Sequence, residues 1–191
     1  MSHSLKEFTA IPPVWKPYLT PVDLDQATSE QLDALQVTPS NRKISDYVLV
    51  LAHDPETLKH RSPLFNGIMY NRGGMSRAER ELSAVGASIV NRCIYCAAVH
   101  AERYNQLAKD ETAIAAIFAD GVDAEIDPRL SAILKFAVKL SECPPEIGAD
   151  DVASLRTAGL GDDEILDSIL SASLFGWANR LMHTLGEPFA G

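Results

Sequence analysis

An all-α fold is the class this sequence predicts, and three observations predict it. From Ser40 onward, apolar residues recur three and four apart, capping signals open one segment after another, and no convincing period-2 run interrupts them. At 191 residues the chain suits one domain, or one domain with an arm, and is long enough to bury a core. Its 46% hydrophobic and 23% charged residues are ordinary for a soluble globular protein. A formal net charge of −9 argues against a nucleic-acid or anionic-membrane partner. No uninterrupted apolar run reaches ~18 residues, so no membrane span is expected, and Met1 to Ala10 lack the apolar core of a signal peptide. Three cysteines is an odd count, unsuited to a disulfide framework, and makes a reducing cytoplasm the expected compartment.

Taken in order, residues 1–40 carry prolines at 12, 13, 17, 21 and 39, which disfavour long regular structure and suggest an arm. Thr28-Ser29-Glu30-Gln31 is able to cap one short helix through Leu35, and Phe8, Trp15 and Tyr18 supply apolar area for docking on the core or on a neighbouring subunit. Residues 41–191 form the helical domain. Ile44, Tyr47, Val48 and Leu51 share one helix face. Asp54-Pro55 provides an N-cap and first residue for a second helix, which Pro63 should disturb before Asn71-Arg72-Gly73-Gly74 ends it. Ser76-Arg77-Ala78-Glu79 is a capping box, opening a helix with Leu82, Val85 and Ile89 inside and a break at Asn91-Arg92. The next helix starts near Cys93 and runs to about Ala108; Asp110 caps a short one through Ala119. Asp127-Pro128 begins another, with Leu130, Ile133, Leu134, Ala137 and Val138 inside. Asp150 to Ala158 stops at Gly159. A last long helix from Asp162 has the stripe Ile165, Leu166, Ile169, Leu170, Leu174, Trp177, Leu181 and ends by Gly186-Glu187-Pro188. Segments Glu79–Arg103 and Asp163–Gly186 share an acidic start, an Ala/Ser/Leu-rich middle and an Asn-Arg dipeptide, from a duplicated helical unit or from shared composition.

The chemistry concentrates between Glu81 and His100. Cys93 and Cys96 form a Cys-x-x-Cys pair, with His100 four residues beyond the second thiol and Glu81 twelve before the first. On a helix starting near Cys93, these two cysteines and His100 lie at i, i+3 and i+7 on one face. Two thiols one turn apart can close into a disulfide, and a helix N-terminus favours a thiolate over the ordinary thiol. Arg92 adds a positive charge beside the pair. An imidazole one turn on is able to exchange a proton with a thiol or a leaving oxygen. On one straight helix Glu81 would lie roughly 18 Å from Cys93. It joins the site only through a bend near Asn91 or from a neighbouring subunit, and is otherwise a solvated glutamate in a first turn.

The pattern Glu81, Cys93-x-x-Cys96, His100 resembles the signature of the alkylhydroperoxidase AhpD-like branch of the carboxymuconolactone decarboxylase superfamily. The run Ser76-Arg77-Ala78-Glu79-Arg80-Glu81-Leu82 and the upstream Leu51-Ala52-His53-Asp54-Pro55 are similar to that family's peroxidase-related members. The likeness covers roughly residues 45 to 185. It implies an AhpD-like helical bundle and a thiol peroxidase without metal, haem, flavin or other cofactor. Cys96 would be the peroxidatic thiol, Cys93 the resolving thiol, and Glu81 and His100 a proton relay. Partners implied are a peroxide substrate, an external dithiol reductant of thioredoxin-like or lipoyl type, and further copies of the chain in a trimer or hexamer. The sequence departs from the best-studied branch at Tyr95, where that branch has a histidine.

Two other readings use the same residues. Cys93, Cys96 and His100 are donors zinc prefers, but a closed structural site needs four ligands and no second Cys/His pair is apparent. A lactone decarboxylase or isomerase would not need two cysteines, whereas a redox-sensing binding protein would use the disulfide without turnover. Cys143 reads as an unpaired bystander, Tyr95 as packing, His183 as surface or subunit contact, and Gly73-Gly74 as a helix stop. His53 and His60 have no partner visible in sequence.

Overall fold

The computed structural model describes residues 5–35, 39 and 43–190. The expected boundary between arm and domain at residues 40–41, and the start of the helical pattern at Ser40, lie outside them. The regular structure of the described residues is helical except for one pair of short strands. In chain order they form β1 (Val14–Pro17), α1 (Ser29–Ala34), α2 (Asp46–Leu51), α3 (Pro55–Tyr70) and α4 (Arg77–Val90). There follow α5 (Ile94–Ala108), α6 (Thr112–Asp120), a 3-10 turn (Gly121–Asp123), α7 (Pro128–Ser141), α8 (Ala149–Thr157), α9 (Asp162–Leu185) and β2 (Gly186–Phe189).

Helix α4 is the axis of the fold, packed by α5, α7 and α9. Ser76 and Glu79 make the capping box expected of them. Beyond it, every residue from Arg80 to Ser88 is buried, so α4 has no solvent face. Small side chains make this possible. A Cβ on Gly86 would stand 2.9 Å from that of Ala137, so α4 and α7 pack at a distance only glycine allows. Polar members pair across helices: Ser83 and Ser168 hydroxyls meet at 3.2 Å, and Ser171 donates to the Arg80 carbonyl at 2.8 Å. The buried Arg80 guanidinium donates to Asp167 at 2.6 Å and to the carbonyls of Asn71 and Gly73, pinning the turn before α4 to α9. Arg129 joins Glu79 and Glu164, both at 2.6 Å, and so clamps the starts of α4, α7 and α9.

Two sequence expectations are corrected by these contacts, and two further features were not foreseen. On α9 the bulky half of the predicted stripe faces outward: Leu166 is 53% exposed, Leu170 38% and Trp177 42%. Ser168, Ser171, Ala172 and Ala178 face α4 instead, because only small residues fit so close an approach. Helix α3 continues through Pro63, which lies on the solvent side where the lost backbone bond can be hydrated. Asn179-Arg180 lies within continuous α9, as the long last helix requires, while the turn expected at Asn91-Arg92 is present, so the two dipeptides sit in different local structures. Finally, β1 pairs antiparallel with β2, Val14 opposite Phe189 and Pro17 opposite Gly186. Four-residue strands containing prolines are too short to show a period-2 pattern. A Cβ on Gly186 would come within 2.4 Å of Trp15, so glycine is what lets this ribbon close. Of the arm aromatics, Trp15 is buried against Tyr47, Phe8 stacks on Phe118, and Tyr18 remains exposed.

Candidate active site

The break predicted at Asn91-Arg92 is what assembles the site. Helix α4 ends at Asn91; Arg92 takes the left-handed conformation (φ 52°), and the N–H groups of Arg92 and Cys93 return to the carbonyls of Ile89 and Ser88. This is a Schellman-type ending with arginine where glycine is usual. His183 bonds the Asn91 carbonyl at 2.8 Å, tying the turn to α9. The chain then reverses into α5, whose N-cap is Cys93 and whose third residue is Cys96. Folding α5 back along α4 brings Glu81 to His100, and the solvated-glutamate alternative is excluded because Glu81 is 0% exposed.

Glu81 accepts from His100 Nδ1 through one carboxylate oxygen and from Arg77 through the other, with Arg77 Nε at 2.8 Å. Burial pushes the Glu81 carboxyl up, but the charges and hydrogen bonds of His100 and Arg77 hold it below the ordinary carboxylate range. Arg77 in turn lies over the Tyr70 ring at 3.7 Å, and Phe175 meets the His100 ring edge-on at 4.1 Å.

The two thiols are free, buried and differently placed. Cys96 and His100, one turn apart, line a cavity of 160 Å³ together with Tyr47, Arg61 and Glu81. Cys93 lines a second cavity of 240 Å³, walled by Arg92, His183 and the Trp15 and Glu187 of the β-ribbon. Tyr95, which the sequence placed in packing, forms wall in both. The proton distribution follows from the helix end. The Cys96 thiol donates toward the Cys93 sulfur and the backbone N–H groups of Cys96 and Tyr95 favour its thiolate, so Cys93 lies below the ordinary thiol value despite burial. Cys96, beside that sulfur and buried, is pushed well above it. Asn179 favours the ionised form of both thiols. Its amide also donates to Ser88 Oγ at 3.1 Å, and its oxygen accepts from Asn91 at 3.4 Å.

Sequence reasoning missed Asn179, Arg77, Tyr47, Arg61 and Phe175. The dipeptide Asn179-Arg180 was visible, but nothing local tells that Asn179 is fully buried eighty-six residues from Cys93. Among the described residues no three His, Cys, Asp or Glu side chains converge as a metal site needs; His100 Nδ1 is engaged by Glu81. Cys143 is free and exposed, His53 bonds the Thr20 carbonyl at 2.8 Å, and His60 meets Glu56 at 3.1 Å.

Residues 55–139, which contain Glu81, Cys93, Cys96 and His100, match the carboxymuconolactone decarboxylase family. The whole architecture is similar to the AhpD core of an uncharacterized peroxidase-related protein from Ralstonia eutropha JMP134. That likeness has 26% identity, covers 91% of this chain and 90% of that one, and has a TM-score of 0.76. Residues 55–139 thus carry a carboxymuconolactone decarboxylase match inside a fold similar to that AhpD core. A second similar structure, an uncharacterized peroxidase-related protein from Silicibacter sp. TM1040, is 28% identical over 74% of each chain, with a TM-score of 0.67. The debrominase Bmp8 shares the fold at 15% identity and a TM-score of 0.74, with 88% of this chain and 90% of that one covered. No curated protein matches the sequence. Among the described residues no helix is long and apolar enough to cross a membrane.

Proposed function

We propose that this chain is an AhpD-like superfamily member and a thiol-dependent hydroperoxide reductase, with Cys96 the attacking thiol and Cys93 the resolving one. The observation that carries the proposal is the burial of Glu81 against His100, in the same cavity as Cys96. A structural glutamate has no need of a histidine partner at a thiol-lined cavity, whereas a proton relay needs all three. Cys96 gives up its proton, which Cys93 and His100 are placed to receive. Its sulfur then bonds the terminal peroxide oxygen, the O–O bond breaks, and the electron pair leaves with the alkoxide. The alkoxide takes the relayed proton, leaving Cys96 as a sulfenic acid and releasing an alcohol. Glu81, ionised by its partners, supports the positive charge His100 carries during the transfer. Cys93 thiolate attacks the Cys96 sulfur, the S–O bond breaks, the departing hydroxide takes a proton from His100 and leaves as water, and a Cys93–Cys96 disulfide remains.

Resetting the pair takes two electrons from an external dithiol. Its first thiolate attacks Cys93 from the second cavity and displaces Cys96 thiolate. Its second thiol then breaks the mixed disulfide. Such reductants are kept reduced in the cytoplasm, where we place the reaction. We also take the chain to be a homo-oligomer, with Leu64, Leu166, Leu170 and Trp177 as exposed apolar surface available for it.

The test is cumene hydroperoxide consumption with dithiothreitol in excess. The parent should turn over continuously and Cys96→Ser should be inactive, while Cys93→Ser, assayed without reductant, should consume about one equivalent and stop at the sulfenic acid. Unchanged turnover in Cys96→Ser would sink the assignment. Absence of turnover in the parent, with a disulfide that forms and persists, would favour a redox sensor.

A further inference from the structure

We propose that the Cys96 cavity takes a small organic monoanion, an apolar body carrying one carboxylate, which Arg61 and Tyr47 hold. The proposal rests on the peroxidase reading only for the group that reacts, and concerns which molecule is admitted.

Four cationic side chains, Lys43, Arg61, Arg77 and Arg103, line this cavity against the one carboxylate of Glu81, in a chain of net charge −9. Glu81 is not free to neutralise them, because Arg77 and His100 already occupy both its oxygens. Arg103 donates to the Gln106 side chain at 3.1 Å. Arg61 has no carboxylate partner among the described residues. Its guanidinium is instead fixed by rings, 4.6 Å from the Phe65 centroid and 5.8 Å from that of Tyr47. Arg61 and Tyr47 face each other closely enough for the guanidinium to favour the phenolate, yet Arg61 Nε and the Tyr47 hydroxyl are both buried and neither completes a hydrogen bond of good distance and angle. A half-buried cation whose nearest polar neighbour is a phenol rather than a carboxylate is an incomplete oxyanion site; a carboxylate would take an N–H from one and the O–H from the other. The rest of the wall, including Phe65, Val99, Phe175 and Met182, is apolar and suits an aromatic or branched body. At 160 Å³ the space is close to the roughly 150 Å³ that holds a benzene ring in an engineered cavity.

The experiment uses ligands that cannot react with a thiol, so it stands apart from peroxide chemistry. Affinities of 4-isopropylbenzoate and the isosteric 4-isopropylbenzamide are measured by ligand-observed NMR on the full chain, alone and as Arg61→Met and Tyr47→Phe. The benzoate is expected to bind at least about tenfold tighter, the ratio one charge-assisted hydrogen bond supplies. Arg61→Met should erase the difference with at most a small fall in Tm, because the ring contacts are lost but a buried charge without a carboxylate goes with them. Tyr47→Phe should reduce it several-fold. Equal affinity of the two ligands for the parent would mean solvent satisfies Arg61 and Tyr47, and would overturn the proposal. So would a fall in Tm in Arg61→Met with the benzoate preference intact, which would make the arginine structural. Benzoate preference in a protein that cumene hydroperoxide does not oxidise would support the anion site while removing the peroxidase reading.

Discussion

At the scale of single residues, the two cysteines differ in what a helix N-terminus does to each. Cys93 as N-cap has amide N–H groups and the Cys96 thiol aimed at its sulfur, whereas Cys96 keeps its proton because it donates to that sulfur and is buried. A lowered pKa means thiolate at lower pH. Cys93 alkylation by iodoacetamide, followed by mass spectrometry, should therefore have a midpoint below the roughly 8.5 of an ordinary thiol. In Cys96→Ala that midpoint should rise, since the S–H donor is gone; a midpoint unmoved by the substitution would refute the account of the pair. The Cys-x-x-Cys spacing and His100 were legible in sequence because they lie on one helix with local periodicity. Tyr47, Arg61 and Asn179 were not, because their roles depend on α2, α3 and α9 crossing α5.

At the scale of elements, the α4–α5 reversal is held by the ion pair its two helices share. Glu81→Gln leaves Arg77 and His100 without their counter-charge and should cost about 3 kcal/mol, a fall in Tm on the order of 8 °C. The sign with pH follows from the lowered carboxyl. The folded value lies below the unfolded one, so the stabilisation is complete above the ordinary carboxylate range, about pH 4.3, and is lost as pH falls through the folded value. Thermal unfolding between pH 6 and pH 3 should show a shallower acid loss in Glu81→Gln than in the parent. Parallel curves would mean that Glu81 does not fold as a carboxylate. Helix starts and stops were largely readable here, since caps are local chemistry: Thr28, Asp54, Ser76 and Asp127 all cap as expected. The facing of α9 was not, because hydrophobicity names an apolar stripe while close packing against α4 selects the small one.

At the scale of the molecule, the all-α class followed from pattern alone, but the β-ribbon that closes over Cys93 needed residues from both chain ends to meet. The exposed Leu64, Leu166, Leu170 and Trp177 leave one apolar face on α3 and α9. If this face joins copies of the chain, sedimentation velocity should find an oligomer, and Leu170→Asp should shift it toward monomer with the circular dichroism unchanged. A parent that sediments as a monomer at micromolar concentration would remove that proposal.

The most direct test of the redox pair is a free-thiol count by mass spectrometry, before and after one equivalent of cumene hydroperoxide, on the parent and on Cys96→Ser. The account predicts rapid loss of two thiols in the parent, located to a Cys93–Cys96 bridge, and no such bridge in the variant. Thiols that stay free in the parent would contradict it and return both cysteines to a structural role.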